Sequence, residues 1–344
     1  MSTIRMNLYT SLEQILQSKV ILYATSDRRN MEANIAPDIL PIFVNHLDTI
    51  GDVEKISLIL YTRGGDTLAA WSLVNLIRNF CKDFEIIVPF HCHSAGTLIC
   101  LGADRIIMTK QATLGPIDPS VNGPMNPVVT INGQQRQVPV SVEFINGYLE
   151  MARTELGIND QVALAQILDN LSNKVNPMVL GQVQRTRAQI QMLAKKLLSH
   201  QNIDEIKHND IINFLCKESG SHDYTIYRRE AKEELGLNIE KPDDNLYAII
   251  NKIYEDIKTE MELDIPFEPQ LLLAGNTGYQ YSCHRAIIES ISTGKDSYIS
   301  EGQLAKQVIQ PQIQGGFPPG IIPPNFLPQT IIQDNRTFEG WRHI

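Results

Sequence analysis

The sequence predicts an α/β fold built around a parallel β-sheet, and two observations carry this prediction. Over roughly the first 110 residues, short apolar runs typical of buried strands alternate with segments whose apolar residues recur at helical spacing. From Ile56 to Met108 the order of these segments is β-α-β-α-β, which implies right-handed crossovers between parallel strands with helices packed on the sheet.

The strand predictions rest on four apolar runs. Two of them are apolar on both faces, as expected of strands buried in a parallel sheet. The runs are Val20–Ala24, Ile56–Tyr61, Glu85–Phe90 and Arg105–Met108. Between them, apolar residues at helical spacing predict three helices, at Ile35–Leu47, Leu68–Phe80 and Ala95–Ala103.

The remainder of the chain is predicted to be a hairpin, several helices and a proline-rich end. The pair Asn132-Gly133 between two strand-like runs indicates a hairpin turn. Helical stretches are expected at roughly Ser141–Leu156, Asn159–Leu171, Val179–Ser199 and Asp204–Cys216, with a further helix ending at Gly236. We therefore expect a core over residues 1–200, a helical C-terminal extension over 201–309 and an extended Pro-rich tail over 310–344.

The composition of the 344-residue chain excludes several classes of protein. It is 43% hydrophobic, its net charge is −9 and its pI is about 5.4, which favours a globular protein and disfavours general nucleic-acid binding. Its apolar runs fall short of the ~20 residues that a membrane span needs, and the N-terminus lacks the apolar stretch of a secretion signal. Five scattered cysteines then indicate free thiols in a reducing cytoplasm, so we expect a cytoplasmic protein.

Two consecutive strand ends carry the residues best suited to chemistry. The first is Tyr61–Thr67, with the pair Gly64-Gly65, and the second is His93–Thr97, with Ser94 before a helix. Because adjacent parallel strands present their carboxyl ends at one edge, the glycine amides and the Ser94 hydroxyl are expected to face one substrate carbonyl. The structural alternatives are a tight turn for the glycines and a helix N-cap for the serine.

His91 and His93 flank Cys92 beside Ser94. Residues two apart on a strand share a face, so the two histidines are expected to line a pocket while Cys92 turns away. No third ligand is placed by the sequence, and we predict no metal and no cofactor.

These strand ends also carry a family resemblance. YTRGGD, HSAGTLICLGADRIIM and TLGPIDP resemble the core of the Clp-protease/crotonase superfamily, and within it the serine dehydrogenase proteinase family, which is related to signal peptide peptidase A. NPMVLGQVQRTRAQIQMLAKKLL and SHDYTIYRREAKEELGL resemble the same family, so the similarity runs from about residue 20 to 240. The resemblance implies a spiral core of repeated β-β-α and βα units with added C-terminal helices.

The resemblance also implies site residues. Ser94 is expected to be the nucleophile, Asp118 and His222 the remaining members of a Ser, Asp, His order, and Gly64, Gly65 and Ala95 the oxyanion hole. His91, His93 and Thr97 are the expected pocket-lining residues. Asp118 in a turn and His222 as a cap are the structural alternatives, while a Ser–Lys dyad would require Lys110 or Lys174. Asn176 stands before Pro177, where relatives carry a histidine.

The expected function is that of an ATP-independent serine endopeptidase acting on peptides or unfolded protein as a homo-oligomer. Two alternatives remain open from the sequence. A crotonase-type acyl-CoA enzyme would use the same oxyanion hole without the serine. An inactive scaffold is suggested by Asn176.

Overall fold

The computed structural model describes residues 2–117, 120–131, 133–201, 203–218, 223–309 and 329–344. The helices are α1 (Thr3–Leu16), α2 (Leu40–Ile50), α3 (Thr67–Arg78), α4 (Ala95–Leu101), α5 (Val142–Glu150), α6 (Gln161–Ser172), α7 (Pro177–Leu198), α8 (Glu205–Asn213), α9 (Arg228–Glu233), α10 (Asp244–Glu260) and α11 (Pro269–Leu273). A 3-10 turn precedes α2 at Pro37–Ile39, and π-helical turns follow α5 at Met151–Glu155 and α8 at Phe214–Glu218.

The strands comprise long members of one large sheet and several short pairs. They are β1 (Lys19–Thr25), β2 (Val53–Tyr61), β3 (Cys81–Val88), β4 (His91–Cys92), β5 (Arg105–Met108), β6 (Thr113–Leu114), β7 (Ser120–Val121), β8 (Val128–Ile131), β9 (Gln134–Gln137), β10 (Val140–Ser141), β11 (Ile226–Tyr227), β12 (Ile239–Glu240), β13 (Gly278–Ser290), β14 (Gly294–Ile309) and β15 (Gln329–His343).

The large sheet has the strand order β12-β5-β3-β2-β1-β13-β14-β15. Strands β12, β5, β3, β2 and β1 are mutually parallel, which confirms the predicted α/β fold with a parallel sheet at its centre. From β1 onward the pairing with β13, β14 and β15 is antiparallel. The sheet is therefore mixed, with the predicted parallel half on one side.

Both faces of the parallel half are covered by helices because alternate side chains of each strand point to opposite faces. On β2, Leu58 and Leu60 lie in the core shared with α2, α3 and α4, whereas Ile59 and Tyr61 lie in the core shared with α1 and α10. All four are almost fully buried. This two-sided burial explains why the strand reads as a continuous apolar run in the sequence.

Helix α3 shows how the local sequence positions the first strand end. Asp66 is its N-cap residue, and its Oδ1 accepts a hydrogen bond from the Ala69 amide at 2.6 Å. This cap stops the strand–turn segment and starts the helix directly after Gly64-Gly65, because the side-chain oxygen satisfies an amide of the first turn. The glycine pair is thereby held at the carboxyl edge of the sheet.

The C-terminal third of the chain differs from the sequence-based expectation. The predicted helical extension over 201–309 contains helices α8 to α11 with the short strands β11 and β12 between them, but its last part forms β13 and β14, which extend the main sheet. Residues 310–328 of the predicted Pro-rich tail lie outside the described residues, and β15 pairs with β14 from Gln329 onward. β13 and β14 form a hairpin, and β13 pairs with β1, which is distant in sequence, so local periodicity did not indicate that the main sheet continues here.

Helix α1, to which the sequence analysis assigned no element, is tied to the sheet by a buried charge network. The Arg5 side chain is fully buried and bonds Glu289 of β13 at 2.9 and 2.7 Å. Tyr9 Oη donates to the same carboxylate at 2.9 Å, and Arg5 also pairs with Asp256 and Glu260 of α10. Buried charges are tolerated only when paired in this way.

Within the described ranges, no helix has both the length and the apolar character required to cross a membrane.

Candidate active site

The two predicted strand ends meet in the structure. The Thr62 amide donates to the His91 carbonyl at 3.1 Å, and the His93 amide donates to the Thr62 carbonyl at 3.0 Å. These bonds form a short parallel bridge between Thr62 and Cys92, beyond the end of β2. The bridge carries the Gly64-Gly65 turn and Ser94 to the same edge of the sheet, as expected from the βα order.

Gly64 lies directly against Ser94. A Cβ atom added at Gly64 would be 2.7 Å from the Ser94 Cβ, 2.9 Å from the His93 carbonyl oxygen and 3.1 Å from the Ala95 nitrogen. Gly64 also has φ = +114°, a conformation that residues with a Cβ rarely adopt. Only glycine therefore allows the two loop tips to approach this closely.

Gly65 is required by a different neighbour. A Cβ added there would be 2.3 Å from the Ile35 carbonyl oxygen, and its φ is +147°. The Ile35 amide donates to the Gly64 carbonyl, and the Asp66 amide donates to the Ile35 carbonyl, both at 2.8 Å. The backbone of Ile35 thus clamps the turn from the side opposite Ser94.

Ser94 is held in a strained backbone conformation, with φ = 53° and ψ = −116°. Such conformations occur at functional sites, and a strand-to-helix turn of this kind exposes the nucleophile in α/β-hydrolases. Ser94 occupies the N-cap position of α4, but its side chain makes no capping hydrogen bond. The half-buried hydroxyl is therefore not used as a cap, in contrast to the structural alternative left open by the sequence.

The amides near Ser94 differ in their availability. The Gly64 amide donates to Thr62 Oγ1 at 3.0 Å, so in this structure the Thr62 side chain folds back onto its own loop and takes that donor. The amides of Gly65 and Ala95 donate to no residue of the described chain. These two N–H groups are the ones free to hold an oxyanion.

The histidines beside Ser94 follow the predicted strand alternation. His91 and His93 share a face, with ring centroids 5.3 Å apart. Cys92 turns to the opposite, buried side, where burial and the neighbouring Cys100 raise the pKa of its thiol well above the usual value. The Cys92 thiol is thus protonated, as expected of a packing residue.

Thr97 is fully buried and bonds backbone only. Its Oγ1 lies 3.0 Å from the Cys92 carbonyl oxygen and 2.8 Å from the Gly115 carbonyl oxygen, which share its single proton, and it accepts from the Gly115 amide at 3.1 Å. Thr97 therefore joins the Ser94 loop to the loop after β6. His93 also contacts this loop, because its Nε2 lies 2.9 Å from Thr113 Oγ1.

The two residues expected to complete the triad, Asp118 and His222, lie outside the described residues. Of the alternative bases, Lys110 places its Nζ 4.8 Å from the Tyr247 ring centroid on α10. Asn176 caps α7, its Oδ1 accepting from the Met178 amide at 2.9 Å. Asn176, which stands where relatives carry a histidine, thus serves as a helix N-cap.

Two residues at this edge of the sheet, Ile35 and Asp27, were not predicted as site residues from the sequence. Asp27 follows the end of β1, two residues after Thr25, and contacts Tyr61, Arg63 and His91. The signal for Asp27 was available, since it is a carboxylate at the carboxyl end of a predicted strand. No signal in the sequence indicated Ile35, because Ile35 contacts the glycine turn through its backbone N–H and C=O groups.

Among the residues that the structure describes, no three His, Cys, Asp or Glu side chains are grouped so that they could hold a metal ion. The arrangement instead offers a hydroxyl, two free amides and imidazole rings. Such a set is suited to nucleophilic acyl transfer.

Comparison with known proteins identifies a related family. Residues 45–143 match the model of the family described as ClpP-like SDH-type serine proteinase, which confirms the resemblance drawn from the sequence. An uncharacterized protein of Methanocaldococcus jannaschii is 29% identical over 210 residues, covering 61% of this chain and 58% of its own length. A second uncharacterized protein of that organism is 39% identical over 66 residues, covering 19% of this chain and 23% of its own length. The chain thus spans less than two thirds of either relative.

Similar solved structures are two mutants of the 1510-N membrane-bound stomatin-specific protease, one of them in complex with a substrate peptide, and ClpP1 from Listeria monocytogenes. The first mutant has a TM-score of 0.37 and 15% identity, with 71% of this chain and 86% of that chain covered. The peptide complex has a TM-score of 0.37 and 16% identity, with coverage of 71% and 81%. ClpP1 has a TM-score of 0.35 and 13% identity, with coverage of 69% and 99%.

Proposed function

From the match of residues 45–143 to the ClpP-like SDH-type serine proteinase family, we propose that this protein is a serine peptidase with Ser94 as its nucleophile. The observation that carries the proposal is the contact of Gly64 with Ser94, where a Cβ would lie only 2.7 Å from the Ser94 Cβ. The strained backbone of Ser94 and its uncommitted hydroxyl support the same role.

The proposed reaction uses the groups at this edge of the sheet. A base takes the proton of Ser94 Oγ, which attacks the substrate carbonyl carbon while the Gly65 and Ala95 amides hold the oxyanion. The peptide C–N bond then breaks, and the leaving amine receives the proton. Water attacks the resulting acyl-enzyme and restores the hydroxyl.

For the base and its partner we retain His222 and Asp118, as the family resemblance implies. A neutral imidazole is suited to accept a proton near pH 7, and a carboxylate orients it. Replacing His222 with Gln or Asp118 with Asn is expected to reduce acylation of Ser94 strongly.

We further propose that the enzyme is an ATP-independent endopeptidase that acts on peptides or unfolded segments as a homo-oligomer. The hydrolysis described above consumes no nucleotide. An extended segment is the form of substrate whose carbonyl can enter between two loop tips.

Labelling with a fluorophosphonate probe tests the proposal. Wild type should be labelled, and Ser94→Ala should abolish labelling. The control is Ser2→Ala, which removes a serine that does cap its helix, with Ser2 Oγ accepting from the Arg5 amide at 3.1 Å. That variant should be labelled like wild type, and labelling that survives Ser94→Ala would refute the assignment of the nucleophile.

Cleavage of an unfolded model protein, assayed without ATP, tests the substrate class. A wild type that neither cleaves it nor reacts with the probe would instead favour the scaffold. Binding of acyl-CoA to such an unreactive protein would favour the crotonase-type enzyme.

A further inference from the structure

The Asp27 carboxylate joins the carboxyl ends of β1 and β2 to the first residue of β4. It lies just beyond β1 and accepts a hydrogen bond from Tyr61 Oη, at the end of β2, at 2.8 Å. Its Oδ2 lies 3.0 Å from His91 Nε2 of β4 and 3.2 Å from the Nε of Arg63 in the glycine turn. One side chain therefore contacts both loops that form the proposed active site.

His91 is fixed on several sides. Its ring lies between Tyr61, at a centroid distance of 4.6 Å, and Phe90, at 5.0 Å. Phe90 in turn stacks on Tyr254 of α10 at 5.4 Å. Since Asp27 accepts from His91 Nε2, it selects the tautomer and the ring orientation, as carboxylates do for imidazoles in other acid–base sites.

The position of His91 is transmitted to Ser94 over a short path. The His91 and His93 rings are 5.3 Å apart, and His93 directly precedes Ser94. On the other loop, Arg63 directly precedes Gly64. Asp27 thus contacts the residue directly before Gly64 and the residue three positions before Ser94.

The carboxylate is buried but well supplied with donors. Its side chain is 14% exposed. Burial by itself would raise the pKa of Asp27, but hydrogen bonds from His91 and Tyr61, together with the charge of Arg63, outweigh it and lower the pKa to about 2. The group is therefore an anion throughout the working pH range of a peptidase.

Resting on the proposed function, we propose that Asp27 is a positioning residue of the hydrolytic site. It acts through His91 on the Ser94 loop and through Arg63 on the Gly64-Gly65 turn. It need not touch the substrate: its hydrogen bonds set the distance and orientation between the nucleophile and the oxyanion donors. Small displacements of such groups reduce rates strongly.

A double-mutant cycle tests this role, with the second-order rate constant of fluorophosphonate labelling as the readout. Asp27→Asn and His91→Gln should each lower the rate constant by about tenfold, the factor expected when a charge-assisted hydrogen bond is lost. Because Asp27 acts largely through His91, the double variant should react no more than about twofold slower than the slower single variant. If the fold-reductions of the two single variants multiply in the double variant, the inference is overturned. Wild-type labelling of Asp27→Asn would overturn it as well.

The matched control is Asp104→Asn. Asp104 is another partly buried carboxylate, which accepts from the Phe84 amide at 2.7 Å and pairs with Arg78 at 3.2 Å, but it lies at the opposite edge of the sheet. Its replacement should lower stability and leave the labelling rate constant unchanged. An equal loss in both variants would mean that general loosening of the fold explains the effect, which would also overturn the inference.

If Asp27→Asn does not fold, as judged by the absence of a cooperative unfolding transition, Tyr61→Phe is the second variant. It removes one of the donors to Asp27 and should lower the labelling rate constant by about threefold; a wild-type rate constant would contradict the positioning role. The two proposals fail in distinguishable ways. Labelling that is independent of Ser94 ends the proposed function, whereas labelling that depends on Ser94 but not on Asp27 or Tyr61 ends only this inference.

Discussion

The Cα atom of Gly64 faces the Cβ atom of Ser94 so closely that a methyl group on Gly64 would stand 2.7 Å from that Cβ. The two residues are 30 positions apart in the chain and belong to successive strand ends. Their contact depends on the bridge between Thr62 and Cys92, which holds both backbones in parallel. The absence of a side chain at Gly64 is therefore a condition for the geometry around the serine.

Gly64→Ala should separate the two loop tips. The left-handed backbone of Gly64 costs about 1–3 kcal/mol for a residue with a Cβ, and the contact with Ser94 forces a further shift. A displacement near 1 Å should lower the fluorophosphonate labelling rate constant about 100-fold. Urea unfolding and labelling kinetics measure the two effects separately.

The control for this prediction is Gly51→Ala. Gly51 has φ = +73°, but a Cβ there would meet nothing within 4 Å. This variant should lose stability from backbone strain alone and keep the wild-type labelling rate constant. Wild-type labelling of Gly64→Ala would show that the loop contact has no role in the reaction.

Asp27 should contribute a pH-dependent part of the stability. Its pKa is lowered to about 2, because hydrogen bonds to His91 and Tyr61 outweigh the effect of burial. A depressed carboxylate pKa stabilises the folded state above the unfolded-state pKa of ~3.9, and this contribution is lost as the pH falls through the folded-state value. The contribution should be about 2 kcal/mol at neutral pH and should disappear between about pH 5 and pH 2.

The measurement is the free energy of unfolding of wild type and Asp27→Asn from pH 7 to pH 2. The difference between the two proteins should shrink over that acidic window and stay constant above pH 5. If the difference in the free energy of unfolding is independent of pH, the ionised form of Asp27 contributes no more to stability than the protonated form.

Glu289→Gln should destabilise the attachment of α1 to the sheet. Glu289 is fully buried and bonds Arg5 and Tyr9, so the neutral amide leaves the Arg5 charge inadequately compensated. The loss should be about 3 kcal/mol, near the lower end for a broken buried pair, because Asp256 still lies 2.6 Å from Arg5. Denaturant unfolding measures it.

Glu54→Gln is the matched change at the surface. Glu54 and Lys82 form a 2.7 Å pair in which both side chains are about 80% exposed, so solvent screens their attraction. Its unfolding midpoint should equal that of wild type. Labelling of folded Glu289→Gln should also match wild type, and a large loss would mean that the network reaches the site.

The local pattern of the sequence was sufficient to predict the parallel half of the sheet and the carboxyl edge at which Gly64 and Ser94 lie. Apolar runs such as Ile56–Tyr61 read correctly because a strand buried on both faces has no polar positions. The same reasoning indicated that His91 and His93 share a face, since side-chain direction on a strand alternates regardless of distant contacts.

The sequence by itself therefore determined the central α/β order, the two strand ends and the family to which they are related. Only the tertiary structure decided which amides stay free, that Ile35 clamps Gly65, that Asp27 joins the ends of β1 and β2 to β4 and that β13 continues the sheet beside β1. The physical reason is that periodicity records the direction of each side chain relative to its own element. Hydrogen-bond partners, in contrast, are set by residues far apart in the chain, and no local pattern encodes their approach.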